Sequence, residues 1–139
     1  MELNRRELAR LGMEGTYLII YGYLPVMLTA NCIQKSGTGC SRAEGLLFLE
    51  DRQKKKFPVK NCCRYCYNII YNCAPLDLIS LADEVESLDP AGLRIDLTLE
   101  TKEEAERILK RCYRTFVLGE KDLPPEGEYT RGHFKRGVK

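Results

Sequence analysis

Seven cysteines stand against one histidine and no tryptophan in a chain of 139 residues. Six of them, Cys32, Cys40, Cys62, Cys63, Cys66 and Cys73, fall in one stretch. Thiolates are soft metal ligands and nucleophiles, so this stretch is where chemistry is to be sought first. Two pairs, Cys32-x7-Cys40 and Cys63-x2-Cys66, can together offer four sulfurs to a single tetrahedral centre. A two-residue gap lets both sulfurs of a pair face one point, whereas the vicinal Cys62 and Cys63 must diverge. The preferred set is therefore Cys32, Cys40, Cys63 and Cys66, with Cys62 as the substitute for Cys63 and Cys73 as the substitute for either. The spacing suits zinc and an iron-sulfur cluster alike. An all-disulfide scheme leaves one thiol unpaired, and inert buried thiols are the remaining reading. Cys112, on the apolar stripe of a helix, reads as core.

Other chemistries have little to stand on. A Ser-His-Asp or Cys-His arrangement would hang on the single His133, and there is neither a His-Glu-x-x-His helix nor a glycine-rich phosphate loop. Tyr21 and Tyr23 could stack a planar substrate. Arg94 and Asp96 share the polar face of a strand, placed for an ion pair or for contact with substrate, and Arg64 beside the thiols can offset their charge. Tyr21, Arg64, Arg94 and Asp96 are the candidate substrate contacts.

Charge is unevenly spread. The net charge of +2 conceals a segment, 35–64, with eight basic and three acidic residues, net +5. Segment 77–107 has three basic and ten acidic residues, net −7, and segment 108–139 eight and four, net +4. The positive field coincides with most of the cysteines, as expected of a patch that attracts a polyanion and equally of a solvated hairpin tip.

The elements that must position these residues can be read from periodicity. With 44% hydrophobic and 30% charged residues the chain is globular material, and its length suits a single domain. Asn4 to Leu11 reads as a short amphipathic helix and Tyr17 to Tyr21 as a buried strand. Leu46–Leu49 and Phe57–Val59 flank a polar stretch, a hairpin with a basic tip. Residues 69–71 read as a strand, 80–88 as a helix with Ser80 as its N-cap, 93–99 as an alternating strand, and 101–116 as a helix opened by the Thr101/Glu104 capping box. Strand and helix thus recur as consecutive βα units, which predicts an α/β fold: a partial (β/α) barrel with a cysteine-rich loop and a small β-hairpin insertion. The predicted organisation is a single domain over 1–120, a cysteine-rich insertion over 29–68 and a basic tail over 121–139. Three core strands are too few to close a barrel, so the chain reads as part of something larger. The longest apolar run, Tyr17 to Met27, is broken by Gly22 and Pro25 and falls short of the roughly 18 to 20 residues of a membrane span. With no export signal in the opening residues, the expected setting is cytoplasmic, where thiols stay reduced.

The order of these residues resembles the collagenase-like peptidase family U-32. The similarity is carried by Tyr21-Gly22-Tyr23-Leu24-Pro25-Val26-Met27 leading to Cys32, then Cys40, Asp51-Arg52, Phe57-Pro58-Val59, Cys63-Arg64 and Cys66-Tyr67-Asn68-Ile69-Ile70-Tyr71-Asn72. Arg94 to Glu100 and Thr130 to Val138 are similar to later stretches of the same family. The resemblance covers nearly all of this chain but only the C-terminal part of the family's barrel core. It implies either a collagenase-like peptidase or an enzyme of oxygen-independent hydroxylation acting on an RNA base or a small molecule. In the second case it implies a four-iron (4Fe-4S) cluster held by Cys32, Cys40, Cys63 and Cys66, with a partner chain supplying the missing barrel strands. From another class, a zinc-stabilised module could use the basic hairpin to contact nucleic acid.

Overall fold

The computed structural model describes residues 3–37, 39–121 and 123–136. In chain order the elements are α1 (Arg5–Leu11), β1 (Tyr17–Gly22), β2 (Pro25–Thr29), α2 (Ile33–Gly37), β3 (Gly45–Glu50), β4 (Lys56–Cys62), β5 (Tyr67–Tyr71), β6 (Leu76–Asp77), α3 (Ala82–Glu86), β7 (Gly92–Asp96) and α4 (Lys102–Phe116). Single 3-10 turns lie at Cys63–Tyr65 and Ile79–Leu81. The chain divides into two compact units, the first formed by the residues before Leu24 and after Cys73 and the second by Leu24–Cys73.

The first unit is built on a three-stranded sheet of order β6-β1-β7, with β1 antiparallel to β6 and parallel to β7. Leu18 and Ile20 of β1 and Leu76, Leu78, Ile79 and Val85 around it are buried, and removing them from water supplies the driving force for this unit. At the end of β1, Gly22 has φ +144°, and a Cβ there would meet the Asp96 carbonyl oxygen at 2.5 Å, so the close approach of β7 requires glycine. Asn4 caps α1, accepting from the Arg6 and Glu7 amides while the Glu7 carboxylate accepts from the Asn4 amide at 2.8 Å. Thr101 and Glu104 make the corresponding box at the start of α4. The C-terminal run is fastened to this unit. The Thr130 amide donates to the Pro75 carbonyl at 2.8 Å, the Asp77 amide to the Thr130 carbonyl at 2.9 Å, and the Arg5 amide to the Phe134 carbonyl at 2.8 Å. The Phe134 ring is fully buried. Of the basic tail expected over 121–139, Asp122, Gly137, Val138 and Lys139 lie outside the described residues.

The second unit is an antiparallel four-stranded sheet of order β2-β5-β4-β3. The hairpin β3/β4 pairs without interruption from Gly45↔Asn61 to Glu50↔Lys56. Asp51 holds its tip, accepting at Oδ1 from the Gln53 and Lys55 amides at 2.8 and 2.9 Å. Val59, Asn61, Asn68 and Ile70 lie buried on the face that carries the loop between β2 and β3. The segment expected as a cysteine-rich insertion, 29–68, falls inside this unit.

This architecture overturns the partial (β/α) barrel of consecutive βα units. Residues 69–71 do form a strand, but β5 spends its backbone groups on the antiparallel neighbours β2 and β4. It is therefore not the parallel partner of β7; that partner is β1, and the whole Leu24–Cys73 unit lies between them in sequence. Among the described residues both sheets are open and most strand pairings are antiparallel. Two boundaries also moved for identifiable reasons. The 93–99 strand stops at Asp96, where its partner β1 ends, and the Glu100 Oε2 then captures the Thr98 and Leu99 amides at 2.8 and 3.0 Å. The 80–88 helix begins instead as a 3-10 turn over Ile79–Leu81, and Ser80 caps nothing.

Candidate functional site

The thiols are delivered by three pieces of the second unit. Cys32 lies just before α2, where its Sγ accepts from the Lys35 amide at 3.4 Å and its carbonyl from the Ser36 amide at 3.1 Å. Cys40 follows Gly39, whose φ of +96° reverses the loop. Cys63 opens the 3-10 turn after β4, and Cys66 closes it in the left-handed conformation, φ 53°, donating its amide to the Cys63 carbonyl at 3.4 Å. The Cys63 thiol donates to the Ala43 carbonyl at 3.0 Å and the Cys66 thiol to the Cys63 carbonyl at 3.7 Å.

Around Cys63 the separate pieces meet. Its thiol is pushed above the usual range first by desolvation and then by Cys32, Cys40, Glu44 and Cys66, all close enough to oppose a second negative charge. Cys62 belongs to a different neighbourhood. It stands opposite Tyr67 in the β4/β5 register, and it raises the Tyr67 hydroxyl by hydrogen bonding and by charge. Burial raises the Tyr71 hydroxyl first, with Cys62 adding to it. The end of β4 at Cys62 and the 3-10 turn that begins at Cys63 thus send the vicinal thiols to different surroundings. Cys73 has its own local contact, its amide donating to the Asn72 Oδ1 at 2.9 Å. Cys112 is on α4 in the other unit, where burial raises its thiol. All seven cysteines are free thiols. Among the described residues, no three histidine, cysteine, aspartate or glutamate side chains are arranged to hold a metal ion. Cys63 and the three thiols that act on it are thus neighbours in charge and not a coordination shell.

Two buried amides fix the loop that carries Cys32. Asn61 and Asn68, 2% and 1% exposed, face one another across β4 and β5. The Asn68 Nδ2 donates to the Asn31 carbonyl at 2.8 Å and the Asn61 Nδ2 to the Gln34 Oε1 at 3.2 Å, one on each side of Cys32. Gln34 in turn donates to the Ser41 hydroxyl at 2.7 Å, next to Cys40. Releasing the loop would strip these buried Nδ2 groups of the partners named, so the sheet holds it through groups that do not cheaply let go, although the buried Asn61 Oδ1 itself has no hydrogen-bond partner. Neither asparagine was a candidate from sequence, because both lie just outside the strands that periodicity marks, 57–59 and 69–71, which the structure extends to take them in. Glu44 was missed because one carboxylate in a loop carries no pattern.

The candidate substrate contacts are divided between the units. Arg64 accompanies the thiols, its guanidinium 5.3 Å from the centre of the exposed Tyr65 ring, and Tyr65 stacks on Tyr67 with centroids 6.5 Å apart. Tyr21, Arg94 and Asp96 lie in the other unit. Tyr21 is buried opposite Asp77, and its hydroxyl is raised by burial and then by the neighbouring Glu100. Arg94 Nε donates to the Asp96 Oδ1 at 2.5 Å, so these two satisfy one another at the end of β7.

No family model, curated protein or solved structure matches this chain. Among the described residues no helix is long and apolar enough to cross a membrane.

Proposed function

We propose that Cys32, Cys40, Cys63 and Cys66 hold an iron-sulfur cluster, and that the chain is the cluster-bearing portion of a cytoplasmic enzyme of oxygen-independent hydroxylation. Its substrate would be an RNA base or a small molecule. The observation that carries this reading is that the Cys63 thiol meets the Ala43 carbonyl at 3.0 Å, on the loop that bears Cys32 and Cys40 and is held to the sheet by Asn61 and Asn68, while Cys62 stands opposite Tyr67 in the β4/β5 register. The U-32 resemblance supports the same four residues. An all-sulfur donor set suits iron-sulfur and zinc chemistry, and drawing the four side chains inward would complete a shell that the thiols alone do not form. When bound, such a cluster supplies electron transfer at a potential set by its surroundings. Around it, this chain's own groups have definite tasks. Asn61 and Asn68 hold the Cys32 loop, Lys35 lends its amide to the Cys32 sulfur, and Arg64 brings positive charge beside the thiols. Arg64 and Tyr65 together present a cationic and aromatic surface on which a planar base can stack.

Anaerobic reconstitution of the full chain with iron and sulfide tests the proposal. It should yield a broad visible absorption band that Cys63→Ser abolishes and that Cys62→Ser and Cys112→Ser leave in place. A colourless protein, or one whose colour is lost in Cys62→Ser and kept in Cys63→Ser, refutes it.

A second reading has its own observation in its favour, the net +5 of the unit that holds the thiols. Zinc in place of iron would then stabilise a nucleic-acid-binding module. That reading requires stoichiometric zinc by elemental analysis and an affinity for single-stranded RNA that falls steeply with salt.

A further inference from the structure

The antiparallel sheet of the second unit has two edges, and they are treated differently. At β2, Pro25 supplies no amide and the register shifts between Pro25 and Met27, two devices that blunt an edge. At β3 neither device is present. Its ladder to β4 is unbroken from Gly45 to Glu50, and its other side has no strand beside it among the described residues. It contains no proline, and its one charge, Glu50, is met by the Lys54 ammonium at 2.9 Å. A row of backbone donors and acceptors is therefore presented to any strand that can lie against it.

The side chains select that strand. Leu46, Leu47, Phe48 and Leu49 are apolar at four successive positions, with Leu46 and Phe48 45% and 59% exposed on one face and Leu49 37% exposed on the other. Leu46 continues into a row across the sheet through Lys60 and Ile69 to Leu28, itself 69% exposed. A half-buried strand alternates apolar and polar residues, so an ordinary amphipathic peptide would set polar groups against one of these apolar faces. The matching strand must be apolar on both faces, a pattern shared by β3 and by β2, where Val26, Met27 and Leu28 are 55%, 56% and 69% exposed, so the choice between them falls to edge geometry. Antiparallel pairing of β3 with β3 is self-complementary about a two-fold axis and closes after two copies. Pairing of β3 with β2 would be head-to-tail and open-ended, and the blunted β2 edge opposes it.

We infer that β3 is a dimerisation edge, pairing antiparallel with β3 of a second copy of this chain to give a continuous eight-stranded sheet. Each copy brings a unit with eight basic and three acidic residues, net +5, to the contact. Their mutual repulsion is screened by salt, so the dimer tightens as salt is added. Binding of a polyanion to the same unit has the opposite salt dependence.

Sedimentation equilibrium of the full chain over a concentration series, at low and at high salt, tests the inference. A monomer–dimer equilibrium is expected, stronger at high salt, together with concentration-dependent protection of the residue 45–50 amides in hydrogen exchange. Phe48→Lys places a charge at a position 59% exposed, its folding checked by circular dichroism, and should weaken the dimer by about tenfold or more, while Val26→Lys on β2 should leave it unchanged. A chain that stays monomeric up to millimolar concentration overturns the inference. So do open-ended oligomers that Val26→Lys abolishes, a dimer indifferent to Phe48→Lys, or protection of residues 45–50 that appears only when another protein is added.

Discussion

Asp77 joins three parts of the first unit. Its Oδ1 accepts from the Ile79 amide at 3.1 Å, its own amide donates to Thr130, and its Oδ2 pairs with the Arg111 guanidinium of α4. Arg111 also donates to the Pro124 carbonyl at 3.1 Å. Both charged groups are largely buried, so the pair is worth much less than the cost of breaking it. Asp77→Asn keeps the shape and a hydrogen-bonding oxygen but leaves the guanidinium without its counter-charge. Urea unfolding of this variant should show a loss of about 3 to 5 kcal/mol, whereas a loss below about 1 kcal/mol would mean the pair behaves as a solvated surface bridge. Nothing in the sequence announces this pair, because Asp77 and Arg111 lie far apart and each belongs to a stretch of mixed charge. The cysteines were legible for the opposite reason. They are rare, clustered and spaced, and the divergence of Cys62 from Cys63 follows from their being adjacent.

Three elements with local signals formed where periodicity placed them: α1, α4 with its Thr101/Glu104 box, and the hairpin whose polar tip lies between Leu49 and Phe57. The 80–88 helix did not, because Ser80 caps nothing. Elements whose existence depends on a distant partner were not legible. β6 is two residues long and exists because β1 and Thr130 pair with it, and β2 opens on a proline that argues against a strand. The barrel expectation failed at this scale, since a strand's periodicity reveals neither which neighbour it will pair with nor in which direction. The capping box of α4 makes a prediction about pH. The Glu104 carboxyl is held below its usual range, first by the Thr101 amide, then by the Thr101 hydroxyl. A depressed carboxyl stabilises the fold above its unfolded pKa, and that contribution disappears as pH falls through the depressed value. Glu104→Gln should therefore lower the thermal midpoint at neutral pH, and the gap to the parent chain should close in acid, measured by circular dichroism. A gap that is constant with pH would show that the box acts by shape and not by charge. Thr101→Ala, which removes the hydroxyl that caps the Glu104 amide and helps hold the Glu104 carboxyl down, should cost about 1 kcal/mol at neutral pH and less in acid.

For the whole molecule, the C-terminal run contributes to the core of the first unit. Phe134 is fully buried, and its carbonyl accepts from the Arg5 amide at the start of α1. The compositional reading of a basic, proline-marked tail missed this, because a single aromatic among charges has no periodicity. Phe134→Ala should destabilise the chain by about 3 to 5 kcal/mol, measured by denaturant unfolding, and should loosen α1 in hydrogen exchange at the same time. A loss of less than about 1 kcal/mol would show that the tail only rests on the surface.

The same scale shows where the chain enters and leaves the thiol-bearing unit. Its own ends meet, with the Asn72 amide donating to the Leu24 carbonyl at 2.9 Å, and Gly22 and Leu76 just outside them are register partners in the first unit. Seen from the first sheet, the chain leaves and returns through adjacent doorways. If Leu24–Cys73 orders first, pairing β1 with β6 closes a short circuit and not a long one, and little chain entropy is lost at that step. In that order of events, whatever steadies the sulfurs also hastens the assembly of a sheet that none of them belongs to.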